Sequence, residues 1–201
     1  MTSQTAETTP GIGHNSNALG RGWRRYAWKK ARKNLVAARV PLEIVRIRVR
    51  RARRLGLTYP QYASVLLGSG RDIVGFLFTV NGLQLRLARQ LEAPAHVSAK
   101  LQTTPDAPRI ALSPPEEEAA EFRSELAEIT VARIDAAFPA PAPEASWGAA
   151  RRIVHRALVE VSMPADGVVM IGEGADDARW ADAAFLAKFI PTAEYFPNLN
   201  E

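Results

Sequence analysis

The sequence predicts an α/β protein: a parallel sheet with flanking helices, preceded by a basic helical arm at the amino-terminal side. Three observations carry that prediction. Ile73-Val-Gly-Phe-Leu-Phe-Thr-Val80 is an apolar run rich in β-branched and aromatic residues, and it stops at Asn81-Gly82. Val168-Val-Met-Ile171 is a second such run, ending in Gly172-Glu-Gly174. Between and around them the apolar residues recur at helical spacing. Strands alternating with helices form a parallel sheet covered on both faces, and open sheets of this class hold ligands at the carboxyl ends of their strands. A buried helix over residues 73–80 is the competing reading, because periodicity alone does not separate the two in a short apolar run.

Composition bounds the rest. At 201 residues and 22.0 kDa the chain has the length of one domain with an appendage, and a hydrophobic fraction of 47% suffices for a core. There is no cysteine, which excludes disulfides, zinc–thiolate sites and thiol nucleophiles. Residues 1–20 lack the basic head and apolar core of a secretory signal, and no apolar run reaches membrane-spanning length. The expected location is cytoplasmic.

Charge is unevenly placed. Of 26 Lys/Arg and 21 Asp/Glu, residues 21–55 hold 14 and 1 (Glu43), leaving 12 and 20 elsewhere, so the local balances are +13 and −8. A basic segment joined to an acidic body can fold onto that body or reach an external polyanion.

Taken in order, residues 1–20 are Thr, Ser, Asn and Gly with few bulky apolar groups, which predicts a disordered tail. His14 in that tail has no second ligand nearby and is expected to be solvated. Residues 22–39 suit a basic helix, with Trp23, Ala27, Ala31, Leu35 and Ala38 near one face. Val40-Pro41 ends it, and Pro41 opens a second helix with Glu43 in its first turn and Gly56 as its left-handed cap. Leu42, Val45, Val49 and Ala52 form its apolar stripe. Val45 to Arg50 also alternates as an exposed strand would; length and arginine content favour the helix. Thr58-Tyr-Pro-Gln61 has capping-box spacing and starts a short helix over 59–67, stopped by Gly68-Ser-Gly70. After the 73–80 strand the sequence predicts a helix over 83–91, a strand over 96–101 and a proline-rich loop over 103–115. A long acidic helix over 115–138 follows, with Phe122, Leu126, Ile129 and Ile134 on one side. Pro139-Ala-Pro-Ala-Pro143 is a stiff linker, and 147–161 is a further helix. The second strand over 166–172 and a closing helix over 178–188 complete the chain. The expected organisation is a tail (1–20), a basic helical arm (21–70) and an α/β body (71–201).

Both strands deliver a polar, glycine-containing turn, and the two turns carry a family resemblance. Val168-Val-Met-Ile-Gly-Glu-Gly-Ala-Asp-Asp177, with Ala181 and Ala183-Ala184 beyond it, resembles the fourth motif of the haloacid dehalogenase-like superfamily, whose carboxylates hold magnesium. Phe76-Leu-Phe-Thr-Val-Asn-Gly82 is similar to that family's first motif, an apolar strand followed by Asp-x-Asp-Gly. Leu186-Ala-Lys-Phe-Ile-Pro191 with Glu194-Tyr-Phe196 looks like the end of such domains, so the resemblance covers residues 72–196. It implies the family's Rossmann-like fold and, residue by residue, a site with departures. Thr79 stands where the family has its nucleophilic aspartate and Asn81 where it has the general acid/base. Glu173 replaces a metal-binding aspartate, and Asp177 fills the later acidic position. A threonine hydroxyl without a base is a poor nucleophile and asparagine shuttles no proton, so the resemblance implies a degenerate, non-catalytic domain. The alternative is a magnesium-dependent phosphohydrolase with an altered first motif, Glu173 and Asp177 supplying the metal ligands. Thr103 is a candidate for the phosphate-gripping position, and Arg151, Arg152 or Lys188 for the basic one. The stretch 172–177 also reads as a plain helix-capping loop, with glycines in the turn and acids facing a helix amino terminus.

The arm supplies the partner expectation. Arg24, Arg25, Lys29, Lys30, Arg32 and Lys33, then Arg46, Arg48, Arg50, Arg51, Arg53 and Arg54, make a cationic surface suited to phosphates. Trp23, Tyr26 and Trp28 could stack on unpaired bases or sit at a lipid headgroup boundary. Nucleic acid or an acidic protein surface is the expected partner, with a membrane surface ranked below both. Leu55-Gly-Leu-Thr58 with Gln61, Ala63, Leu66 and Ile73 also looks like the first part of a helix-turn-helix regulator. That reading ranks third, because its groove-entering element would be the apolar 72–80 segment.

Overall fold

The computed structural model of the chain describes residues 40–87 and 91–197. The expectations placed on residues 1–39, a disordered tail and a first basic helix, lie outside the described residues.

The first described element, α1 (Leu42–Arg54), is a helix and not the alternating strand its arginines also permit. Val45, Val49 and Ala52 fall on one side at helical spacing, and Ala52 is buried. Leu42, expected in that stripe, is exposed. Gly56 closes the helix at φ +68, and the Gly56 and Leu57 N–H groups return to the carbonyls of Arg53 and Ala52. Then α2 (Tyr59–Ser69) opens on a full capping box. Gln61 N–H donates to Thr58 Oγ1, and Thr58 N–H donates to Gln61 Oε1 at 2.9 Å.

The chain continues through β1 (Gly75–Phe78), a short hairpin of β2 (Arg86–Leu87) and β3 (Leu91–Glu92), α3 (Ala95–Thr103), β4 (Arg109–Ser113), α4 (Ala119–Thr130) and β5 (Ala136–Pro139). It ends with α5 (Trp147–Glu160), β6 (Val168–Gly172), α6 (Gly174–Ala183), β7 (Lys188–Pro191) and α7 (Thr192–Tyr195). The main sheet has five strands in the order β5-β4-β1-β6-β7, every pair parallel. This is the α/β class that the two apolar runs predict. Side chains alternate across it. Phe76 and Phe78 pack with Leu55, Tyr62, Val65, Val97, Phe122 and Tyr195 on one face. Leu77, Ile110, Leu112 and Met170 pack with Val154, Leu158 and Trp180 on the other.

Several expectations need correction. Helices α1 and α2, the described part of the basic arm, take the first of the two arrangements left open by the charge asymmetry and fold onto the body: Leu55, Leu57, Tyr62 and Val65 are buried in the same cluster as Phe76 and Phe78. Residues 39–201 group as one unit. The 72–80 segment contains the central strand β1 (Gly75–Phe78) and no helix, so the second helix of a helix-turn-helix is absent there. Residues 96–101 are helical, because Val97 and Leu101 lie one turn apart and both are buried. Where the helix over 83–91 is expected, residues 83–84 lie in a turn and Arg86–Leu87 and Leu91 belong to β2 and β3, while 88–90 lie outside the described residues. The expected loop over 103–115 contains β4, hidden in sequence by prolines on both sides. The long acidic helix ends at Thr130, where Val131 takes φ +49 without being glycine, and β5 follows. The closing helix lies earlier than expected, at 174–183, and leaves room for β7.

Candidate functional site

From β1 the chain moves out to β4 and β5 on one side of the sheet, then returns to β6 and β7 on the other. The topological switch therefore lies between the carboxyl ends of β1 and β6, where open sheets of this kind place ligands. Thr79 and Asp177 meet there, from strands whose starts are far apart in sequence.

Thr79 extends the β1 ladder, its N–H donating to Ile171 O at 3.1 Å. Its hydroxyl donates to Asp177 Oδ2 at 2.6 Å and accepts from Gly82 N–H at 2.9 Å. The same Asp177 oxygen accepts Glu173 N–H at 2.8 Å, so the carboxylate caps the start of α6 from within its own first turn. Both side chains are 2% exposed. Burial pushes the Asp177 carboxyl above its ordinary range. Its two hydrogen bonds oppose that shift, and the neighbouring acids Asp176 and Glu173 add to it.

Two glycines make this closure possible. A Cβ on Gly82 would stand 2.1 Å from Ile171 O, and one on Gly172 would stand 2.7 Å from Asp177 Oδ2. Only bare backbone lets the two turns approach this closely. Thr192, at the start of α7, completes the knot. Its buried hydroxyl lies 3.1 Å from both Gly82 O and Gly172 O.

Asn81 and Glu173 sit at the same end of the sheet but are exposed. The four site residues drawn from the resemblance thus separate into a buried pair, Thr79 and Asp177, and two residues at the surface of the turns. A hydroxyl beside a carboxylate is half of a nucleophile–base pair. Here both groups are shut away from solvent, and the hydroxyl is held by Gly82 as well. The donor set does not suit magnesium, which takes near-octahedral oxygen coordination. Among the described residues Asp177 is the single buried carboxylate and no group of three or more His, Cys, Asp or Glu is suited to a metal, and the Asp177 Oδ2 already accepts two hydrogen bonds.

Thr103 is misplaced for a phosphate-gripping role. It ends α3 beside Thr104, whose carbonyl takes the Arg109 guanidinium at the amino end of β4, the opposite end of the sheet. Lys188 begins β7, also at the amino end, and its Nζ donates to Ser64 Oγ at 2.6 Å. Arg151 lies over the Phe185 ring at 4.8 Å, and Arg152 is exposed on α5. The residue that sequence reasoning missed is Ser113, which closes β4 at the site's end of the sheet. It is fully buried, and its Oγ has no partner among the described residues. Its only signal was the short run Arg109-Ile-Ala-Leu-Ser113 between prolines.

The arginines of α1 divide into two groups. Arg51 donates to Asp72 Oδ2 at 3.2 Å and to Ile73 O, and Arg54 pairs with Asp106 at 2.6 Å. Arg46, Arg50 and Arg53 recur at helical spacing on the exposed side and make no ion pair among the described residues; Arg48 is half-buried. Arg24, Arg25, Lys29, Lys30, Arg32 and Lys33, with Trp23, Tyr26 and Trp28, lie outside the described residues. Among the described residues no helix is long and apolar enough to cross a membrane. No family model matches the chain, and neither the curated proteins nor the solved structures yield a match.

Proposed function

We propose that this chain is a non-catalytic binding protein: a degenerate haloacid dehalogenase-like body whose basic amino-terminal segment, ending in α1, binds nucleic acid. The observation that carries the reading is the Thr79–Asp177 hydrogen bond. The hydroxyl standing where the resemblance would put a nucleophilic carboxylate is buried and donates at 2.6 Å to the carboxylate that would hold a metal. The binding half draws on Arg46, Arg50 and Arg53, exposed on α1 without an ion pair among the described residues, and on the basic residues that precede them in sequence. Such a surface gives salt-sensitive, sequence-independent affinity. A cytoplasmic location accompanies this reading.

The test is fluorescence anisotropy of the full chain with random-sequence DNA and RNA oligonucleotides across a salt series. Expected is binding whose affinity falls steeply and linearly on a log–log plot, by about 0.9 per phosphate contact on duplex. Absent or salt-independent binding removes the nucleic-acid half; salt-sensitive binding to a polyglutamate probe alone assigns an acidic protein surface instead. A second reading, a magnesium-dependent phosphohydrolase with an altered first motif, draws on Ser113, a buried hydroxyl without a partner at the same end of the sheet. Turnover of p-nitrophenyl phosphate that requires magnesium and disappears in Asp177→Ala would establish that reading in place of the first.

A further inference from the structure

Helices α1 and α4 carry opposite charge in the same pattern. On α1, Arg46, Arg50 and Arg53 stand at i, i+4 and i+7, and all are exposed. On α4, Glu121, Glu125 and Glu128 repeat that spacing, and all are exposed. Seven residues make two turns, about 10 Å, so each row is a straight stripe of like charge along one side of its helix. Like charges one turn apart repel, so neither stripe helps the helix that bears it.

The fold turns both stripes outward from one side of the molecule. Ala52, the buried residue of α1, and Phe122 and Leu126 of α4 belong to one core cluster on the Phe76 and Phe78 face of the sheet. Other charges leave the match intact. Arg123 lies about half a turn round α4 from the glutamates and lines the groove toward α5 instead. Laid antiparallel, the stripes set Arg46 against Glu128, Arg50 against Glu125 and Arg53 against Glu121. One turn further on, Leu42 falls opposite Val131, and Glu43 meets no acid. Those two apolar residues are unusually open, at 58% and 74% exposed. Val131 also holds φ +49, a left-handed value that a β-branched residue rarely takes.

We propose that two copies of this chain associate about a two-fold axis, the arginine stripe of α1 in each lying antiparallel on the glutamate stripe of α4 in the other. Each copy offers both stripes from one face, so the contact closes on itself and leaves neither stripe over. Exposed ion pairs are individually weak and are screened by salt, so the dimer depends on protein concentration and ionic strength. The same arginines carry the proposed nucleic-acid contact, so dimer and complex exclude each other. That consequence rests on the nucleic-acid reading; the dimer does not.

The test is sedimentation equilibrium of the full chain, without nucleic acid, from about 10 μM to about 1 mM. Expected is a monomer–dimer equilibrium whose association constant falls about tenfold or more between about 0.05 and about 0.5 M salt. Two charge-reversed chains identify the surfaces that meet. Arg46→Glu, Arg50→Glu and Arg53→Glu together make both stripes acidic, and Glu121→Arg, Glu125→Arg and Glu128→Arg together make both basic. Each reversed chain alone should stay monomeric, and an equal mixture should form a one-to-one dimer, because opposite stripes then meet at both contacts. A wild-type chain that is monomeric throughout overturns the proposal. So does a dimer that survives in either reversed chain alone, or a mixture of folded reversed chains that stays monomeric. Should a reversed chain not fold, Arg46→Gln with Arg50→Gln decides in its place: a dimer as tight as the wild type overturns the proposal.

Discussion

The carboxyl ends of β1 and β6 and the outer side of α1 answer the same question in opposite ways. Both collect polar groups, the first where open α/β sheets hold ligands and the second on an exposed helix face. Where the β1 and β6 turns meet, the buried polar groups are turned on one another: Thr79 on Asp177, Gly82 on Thr79, Glu173 N–H on Asp177, Thr192 on two carbonyls; Ser113 Oγ, at the end of β4, is the exception. On α1 the arginines nearest the body, Arg51 and Arg54, are matched to Asp72 and Asp106, while Arg46, Arg50 and Arg53 are not matched to anything described. A polar group already satisfied inside the protein has little to offer a ligand, because binding would break one hydrogen bond to make another. The difference assigns stability to the strand ends and leaves the outer arginines of α1 as the groups on which the proposed binding draws.

The comparison is broken most severely by filling the contact between the two turns. Gly82→Ala would drive a methyl group into Ile171 O, a backbone atom that cannot rotate away. The expected loss is about 3 kcal/mol or more, read as a fall in Tm or failure to accumulate soluble protein. A variant with unchanged Tm would mean that the turns are not closed on each other.

Next in size is Thr79→Asp, which restores the residue the family resemblance calls for. It sets two carboxylates against each other in a buried site, and at neutral pH should cost about 2–4 kcal/mol, less at acid pH where the pair shares a proton. Magnesium should recover part of that loss in the variant and leave the wild-type Tm unmoved. A wild-type Tm that rises with magnesium would show that Asp177 is available to a cation, and the contrast between the two regions would fail.

How much of this was legible in the sequence follows from how local each signal is. The strand ending at Asn81-Gly82 and the one ending at Gly172 were visible because an apolar run and its stop lie within ten residues. The capping box at Thr58 and Gln61 and the left-handed Gly56 were visible for the same reason. Strand β4 was not, since Arg109 and Ser113 look like loop residues until α3 supplies the carbonyls of Leu101 and Thr104 to the guanidinium. Ser113 was lost with it. The Thr79–Asp177 bond joins residues 98 positions apart. Only a shared family pattern suggested that they meet, and the pattern could not say that the hydroxyl would be turned inward. The basic segment was legible as charge, but not the division of its arginines, which depends on where Asp72 and Asp106 end up.

A smaller effect tests the electrostatics of the closed region. The Asp177 carboxyl is raised by burial, so between the unfolded value near 4 and its higher folded value the folded chain binds more protons than the unfolded one. Stability from this group is therefore complete below pH 4 and is lost as pH rises through the folded value. Asp177→Asn cannot ionise, can still accept from Thr79 and Glu173, and should flatten that slope in urea titrations. A variant that keeps the wild-type decline would place its origin elsewhere. Lys100 gives a slope of opposite sign on the far side of neutrality: burial against Tyr195 lowers it to about 8. The folded chain then binds fewer protons than the unfolded one from about pH 8 to 10.5, so stability should rise with pH across that window and stop rising in Lys100→Met.

The smallest expected change in stability belongs to the open region, and its smallness is the point. Arg46→Ser, Arg50→Ser and Arg53→Ser together remove three charges that hold nothing in the described structure, so Tm should move by less than about 0.5 kcal/mol in equivalent terms. Arg51→Ser, which abandons Asp72, Asp106 and Ile73 O, should cost about 1 kcal/mol by contrast. Affinity should order the same variants the other way. The triple substitution should flatten the salt slope of nucleic-acid binding by roughly one per arginine, and Arg51→Ser should leave it nearly unchanged. If Arg51→Ser weakened binding as much as the triple variant, the matched and unmatched arginines would be acting alike. Internal pairing would then be no guide to where this protein meets its partner.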